Sequence, residues 1–392
     1  KQDELYLPLR FVWGSDGLGI AEATDAFEGA QGSRVESMAG LGTDELLARL
    51  NSIIPGENLE WVKALGAHEL SKQSSWKAFL GKDELPTLRL KLRQGGELRS
   101  IELPFQKTLL SAPQGLPFYW RMLPEIQAGY FALRSCQYNF NYIVAMRNFF
   151  YELAQRGYWK LILDLRGNSG GNSMVMDEFL RLMPPASLAD YRSRIRISEQ
   201  AIAQRKYKRE DFSFEPGGDL SLPKGDGRKH KSATDEELSP FVGKIILLVD
   251  RHTFSSGVMF ASVLADNQLV TVVGEATGMA PTHYGDMLQF ELPHGLHLSV
   301  SHKRFTRPDP SRDPAVSLLP EVVVPTSLAD RFAKRDPQLE WVIRNWHARP
   351  EELSAADIQA ALPKPPVQPA VRRSVPQTGA EGVSVKLSKV VV

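Results

Sequence analysis

The sequence predicts an α/β protein, α+β overall: a mostly parallel sheet flanked by helices, preceded by a small β-rich module. Three observations carry this. From Gly129 onward, apolar runs of strand length alternate with helix-length segments, as in repeated strand–loop–helix units. Before Phe105, short alternating runs are instead punctuated by glycine turns. The 392 residues exceed one ordinary domain, and 42% hydrophobic with 24% charged residues is the composition of a globular chain. The expected division is 1–112, the β-rich module; 113–345, the α/β core; and 346–392, a Pro-rich extension.

In the module, Leu7 to Trp13 reads as a strand and Gly14-Ser15-Asp16-Gly17 as a turn. Ser33 to Met38 alternates and ends at Ala39-Gly40. Thr43 is placed to cap a helix over Asp44 to Leu50, with acidic residues in its first turn; this is the one clear helix of the module. Leu88 to Leu92 and Leu98 to Leu103 flank Gln94-Gly95-Gly96, a hairpin signal.

In the core, Tyr130 to Leu133 is a short strand, and Tyr142 to Gln155 has helical apolar spacing that Gly157 ends. Lys160 to Leu165 is a nearly continuous apolar strand, as expected where both faces are covered. A helix over Ser173 to about Leu182, a strand at 245–249, a helix from Phe254 to Asp266 and a strand over Val270 to Val273 follow. Met287 to Glu291 and Leu296 to Ser301 form a hairpin. A charged insertion, roughly 191–237, has few apolar residues; its second half reads as a mobile excursion, either a solvated surface or a lid. The tail after His347 is Pro-rich, but Val383 to Val392 alternates like a strand.

Composition excludes some classes. The 47 Lys plus Arg nearly balance 46 Asp plus Glu, so no bulk field exists to hold nucleic acid or an anionic membrane. Cys136 is the sole cysteine, which rules out an intrachain disulfide and Cys-based zinc sites. No stretch approaches the roughly 20 apolar residues of a membrane helix. No signal-peptide pattern opens the chain, which begins at Lys1, so a processed or truncated chain is the expectation. No cofactor or metal site is expected, and oligomeric state is not legible.

Three loops could carry chemistry. In Asp164-Leu165-Arg166-Gly167-Asn168-Ser169-Gly170-Gly171-Asn172, a buried strand enters a glycine-rich loop before a helix. Bare backbone N–H groups and a helix N-terminus suit an anion, either a phosphate or a developing oxyanion; a tight turn without a ligand is the plainer alternative. In Asp250 to Gly257, an apolar strand delivers Ser255 to a helix start, where it is a nucleophile or simply an N-cap. In Gly274 to Asp286, His283 lies on a Gly/Pro-punctuated loop at a strand end, as a general base or as a structural histidine.

Taken in order, these segments resemble the tail-specific, or C-terminal-processing, serine peptidase family, especially its branch related to the tricorn core and to retinoid-binding relatives. The matching words are Leu163 to Gly171, Leu248 to Gly257 and Val273 to Gly278. Leu319 to Pro325 resembles a late family strand, with Glu321 where the family has Asp, and Asp336-Pro337-Gln338-Leu339 a closing segment. The resemblance covers about Gly129 to Ile343. Gly32-Ser33-Arg34-Val35 before a strand loosely resembles a PDZ-like module; an unrelated small β domain is the alternative.

The resemblance implies a ClpP/crotonase-like catalytic domain preceded by a PDZ-like domain. It further implies a serine peptidase acting on peptides or unstructured protein ends, in an extracytoplasmic setting, periplasmic or secreted. It gives Ser255 as nucleophile and places the oxyanion hole at Gly170, Gly171 and Ser256. One departure is plain: Ala280 occupies the family's lysine-base position. Either His283 serves, with His252 the weaker candidate, or the base lies on an upstream segment this chain lacks. A catalytically inactive peptide- or apolar-ligand-binding member is the second reading, and an acyl-CoA enzyme of the crotonase type the third.

Overall fold

The computed structural model describes residues 4–112, 115–184, 186–207, 219–221, 228–230 and 240–346. In the N-terminal part, β1 (Leu9–Gly14), β2 (Gly17–Ala23), β3 (Arg34–Met38), β4 (Leu41–Gly42), β5 (Thr87–Gln94) and β6 (Glu97–Pro104) form one antiparallel sheet. Its order is β1-β2-β3-β5-β6, with β4 on β3. Gly95 and Gly96, both at positive φ, close the β5–β6 hairpin with Gln94 opposite Glu97. Such two-residue loops match the twist of the paired strands. Leu88, Leu90 and Leu92 point into the core while Arg89, Lys91 and Arg93 face water.

Three helices cover this sheet, where the sequence reading had one: α1 (Thr43–Ile53), α2 (Leu59–Glu69) and α3 (Gln73–Leu80). Thr43 is the first residue of α1 rather than its cap, and Gly42 at the cap offers no side chain. The reading missed α2 because a glycine interrupts its pattern. A Cβ at Gly66 would lie 2.7 Å from Leu50 of α1, so the glycine is what lets the two helices touch.

The core sheet has the order β18-β15-β14-β9-β8-β7. It contains β7 (Phe118–Leu123), which the sequence reading did not have, β8 (Ala128–Leu133) and β9 (Lys160–Asp164). All but β7 run parallel. Between β9 and the next core strand come β10 (Ala186–Leu188), β11 (Arg192–Arg196), β12 (Asp219–Ser221) and β13 (Arg228–His230); the sheet then resumes with β14 (Lys244–Val249) and β15 (Thr271–Gly274). β16 (His283–Leu292) and β17 (Leu296–Thr306) form the expected hairpin, longer than predicted, and β18 (Val322–Val323) ends the sheet.

On one face α4 (Phe140–Gln155), α5 (Met174–Arg181) and α7 (Ser256–Asp266) bury Phe149, Phe179 and Phe260 against Leu161 and Leu163. On the other, Leu339 and Val342 of α9 (Pro337–Asn345) meet Ile162. Coverage of both faces explains the unbroken apolar run of β9.

The insertion is more ordered at its start than its charge suggested. β11 pairs with β17, and α6 (Glu199–Arg205) flanks β16, where Gln204 bonds both the N–H and the C=O of Gln289. Much of its second half, with the proposed excursion or lid, lies outside the described residues, as does the 383–392 segment. The short α8 (Leu328–Phe332) joins the two parts: Cβ atoms at Gly14 and Gly19 would fall 2.6 and 2.7 Å from Leu328 and Phe332. No helix among the described residues is long and apolar enough to cross a membrane.

Candidate active site

The three loops singled out in the sequence converge at the carboxyl ends of β9, β14 and β15, where parallel sheets place their ligands. The charged residues of the first loop are structural. Asp164, fully buried, accepts from Tyr130 Oη at 2.5 Å, Arg134 at 2.8 Å and Arg166 at 2.7 and 2.9 Å. Burial alone would raise its carboxyl, but Arg166 and Arg134 overcome this and hold it well below the usual carboxylate range. Arg166 continues to Asp336 at the start of α9 at 2.6 and 2.8 Å.

The first and second loops are stitched together by polar bonds. Asp250 Oδ1 accepts from the Gly167 amide at 2.9 Å, and Thr253 Oγ1 donates to the Leu165 carbonyl at 3.0 Å. The Phe254 amide donates to the Asn168 carbonyl at 2.9 Å. Asn168 is itself fully buried, with Nδ2 on the Leu133 carbonyl at 3.0 Å. Sequence reasoning passed over Asn168, although an asparagine between glycines at a strand end is a turn-forming signal.

Ser255 occupies the residue just before α7, yet it does not cap the helix. Its side chain makes no capping bond, and its backbone stands at φ 49°, ψ −125°, a conformation side chains seldom adopt. The plain N-cap explanation therefore fails on geometry. Its amide donates to Met279 Sδ at 3.2 Å, and its Oγ bonds no described group. A serine held on such a sharp strand-to-helix turn is presented outward rather than used up in local structure.

Opposite it lies the glycine turn. A Cβ on Gly170 would sit 2.7 Å from Ser255 Cβ and 3.0 Å from the Ser256 amide nitrogen, so only glycine lets the two loops approach. The expected oxyanion set divides here. The Gly170 amide is committed to Asn168 Oδ1 at 2.9 Å, so its part is the missing side chain. The amides of Gly171 and Ser256 donate to no described acceptor, while Ser256 Oγ bonds the Gly171 carbonyl at 2.6 Å and ties the two backbones together. Cys136, buried beneath this turn, has its thiol pushed up to about 11 by burial and is neutral near pH 7.

His283 is not on a loop: it opens β16 opposite Phe305, and it is buried. Its Nδ1 lies 3.1 and 2.9 Å from the Ala280 and Pro281 carbonyls, which assigns the proton to Nδ1 and leaves Nε2 a free lone pair. Burial pushes its pKa below the usual histidine value, against those two carbonyls. No hydrogen bond joins it to Ser255. His252 is exposed on the second loop. Nearby, Asp313 accepts from Thr282 Oγ1, while its buried Oδ1 has no donor among the described residues.

The N-terminal part reaches this site through residues that sequence reasoning did not single out. Glu57 accepts from the Ala280 amide at 2.9 Å. Asn58 Nδ2 lies 3.1, 2.6 and 2.9 Å from the Thr277 carbonyl, the Val316 carbonyl and Ser317 Oγ. Trp61 stacks on Phe254, with ring centres 3.8 Å apart at 16°. Arg251, buried, pairs with Glu60 at 3.2 Å and Glu275 at 3.5 Å. Among the described residues, no group of three or more His, Cys, Asp or Glu side chains could hold a metal ion.

Comparison with known proteins bears on the family and the fold. A carboxyl-terminal-processing protease of Synechocystis sp. is 26% identical over 204 residues, covering 51% of this chain but only 39% of that protein. The crystal structure of mature CPAF superposes with a TM-score of 0.61 at 15% identity, over 88% of this chain and 82% of that one. Mature CPAF in complex with lactacystin gives the same TM-score at 14% identity, over 87% and 82%. Peptidase family S41 matches residues 127–323, half of the chain, which span the core sheet from β8 to β18 and all three loops. By that match the chain belongs to peptidase family S41.

Proposed function

We propose that this chain is a serine peptidase that cleaves peptides or unstructured protein ends. Ser255 is the nucleophile, and the amides of Gly171 and Ser256 are the oxyanion donors. The observation that carries this reading is the strained, uncapped backbone of Ser255 pressed against Gly170. Strain of this kind costs roughly 1–3 kcal/mol and persists only where its surroundings impose it. Ser255→Ala should abolish labelling by a fluorophosphonate probe while circular dichroism and melting stay near wild type. Labelling that survives there and disappears in Ser256→Ala would move the role one residue along.

His283 is the base this reading assigns, through its unprotonated Nε2, with substrate bringing it and Ser255 into reach. Because burial lowers its pKa, the acid limb of activity should fall below the ordinary histidine value of about 6.5. His283→Gln should remove activity; full turnover in that variant would place the base elsewhere, at His252 or on another segment. A division into a PDZ-like module at 1–112, a ClpP/crotonase-like core at 113–345 and a C-terminal extension belongs to the same reading. So does a periplasmic or secreted location, which cell fractionation tests.

One observation favours the alternative of a non-catalytic binding protein for peptides or apolar ligands: no base among the described residues bonds Ser255. A wild-type chain that never labels would count against the peptidase and leave that alternative and the acyl-CoA enzyme standing.

A further inference from the structure

Ser255 gives its own amide only to a thioether, a weak acceptor, while its neighbours are bonded within the core, the Phe254 amide on the Asn168 carbonyl and Ser256 Oγ on the Gly171 carbonyl. That thioether belongs to Met279, and both flanks of Met279 are gripped from the N-terminal part. Ala280 gives its amide to Glu57, the Thr277 carbonyl lies on Asn58, and a Cβ on Gly278 would be 2.9 Å from the Trp61 ring. On the other side of Ser255, the same Trp61 covers Phe254. Asn58 also caps α2 by accepting from the Trp61 amide at 2.9 Å, so one side chain fastens the helix start and the loop together.

We propose that Glu57, Asn58 and Trp61 are positioning residues of the site, a clamp from the N-terminal part that holds Met279 and Phe254 and thereby the nucleophile turn. None of the three touches a reacting atom; they act through the loop. The α2 start is thus a working part of the site, and the two parts of the chain act as one unit. This rests on Ser255 being the nucleophile, so the experiment reads the clamp in two ways.

Glu57 is exposed, so Glu57→Ala should fold. Asn58→Asp keeps the cap acceptor for α2 but removes the donors facing Thr277, Val316 and Ser317. In the full chain, hydrogen exchange of peptides spanning 274–283 should accelerate in both variants. Fluorophosphonate labelling should slow about tenfold or more in Glu57→Ala, with peptide kcat falling and KM little changed. Glu57→Gln, which keeps an acceptor for the Ala280 amide, should restore labelling toward wild type. Unchanged exchange in both variants overturns the clamp, as does wild-type labelling in Glu57→Ala. If the wild-type chain does not label at all, the nucleophile assignment fails alone, and exchange still decides the clamp.

Discussion

Ser255 and Gly170 together define the site at atomic scale, and neither backbone favours a side chain. Ser255 stands in a left-handed backbone region that disfavours a side chain, whereas Gly170, at φ 101°, must not carry one. Ser255→Gly should therefore be inactive yet more stable by about 1 kcal/mol, measured by urea unfolding, because relieving the strain costs no described hydrogen bond. Gly170→Ala should lower activity by about 10²-fold or more, since its Cβ would press on Ser255 and the Ser256 amide. Gly171 differs. A Cβ there meets the Cys136 carbonyl at 2.5 Å, so Gly171→Val should damage folding as well as activity, where the sequence alone suggests only the latter. That a glycine pair marks a close approach was legible in the sequence. Which glycine faces the serine was not, because that depends on a partner from another segment; nor was the commitment of the Gly170 amide to Asn168, two residues away, because it depends on how the turn folds.

At the scale of elements, the strand–loop–helix units were legible because periodicity and apolar runs are local properties. β9, β14, β15, α4 and α7 lie close to where their patterns put them. β7 and α2 escaped because neither has a clean period, and both are stabilised by what they pack on. The start of α2 also carries a buried ionic contact to the second loop. Arg251 stands between Glu60 and Glu275 with 4% of its side chain exposed. Arg251→Ala would leave Glu60 with Lys63 at 2.7 Å and Glu275 with Arg331 at 3.9 Å, and a loss of about 1–3 kcal/mol in unfolding free energy is expected. Arg251→Met should lose nearly as much, since packing alone does not restore its ion pairs.

Across the molecule, Asp164 ties three parts of the fold: β8 through Tyr130, the first loop through Arg166, and α9 through Arg166 and Asp336. Its carboxyl is held below the unfolded value, so it contributes stability that is present above about pH 4 and lost as pH falls through the depressed value. Melting temperature should thus drop steeply on acidification below about pH 4. Asp164→Asn should be destabilised already at neutral pH, with a flatter acid dependence; an unchanged pH profile would show that the network contributes little. The sequence by itself determined the α/β class, the order of the strands along the chain and the three loops at strand ends, because each is written in residues close together. Only the tertiary structure decided the rest: that Ser255 is strained rather than capping, that the Gly170 amide is spent, that His283 opens a strand with its Nδ1 on two carbonyls, and that α2 reaches the site. Each of these turns on how a residue sits in its packed surroundings, with partners near in the chain, as Asn168 for Gly170 and Pro281 for His283, or far from it, as Gly170 for Ser255 and Glu57 for Ala280, and burial and steric fit set the outcome.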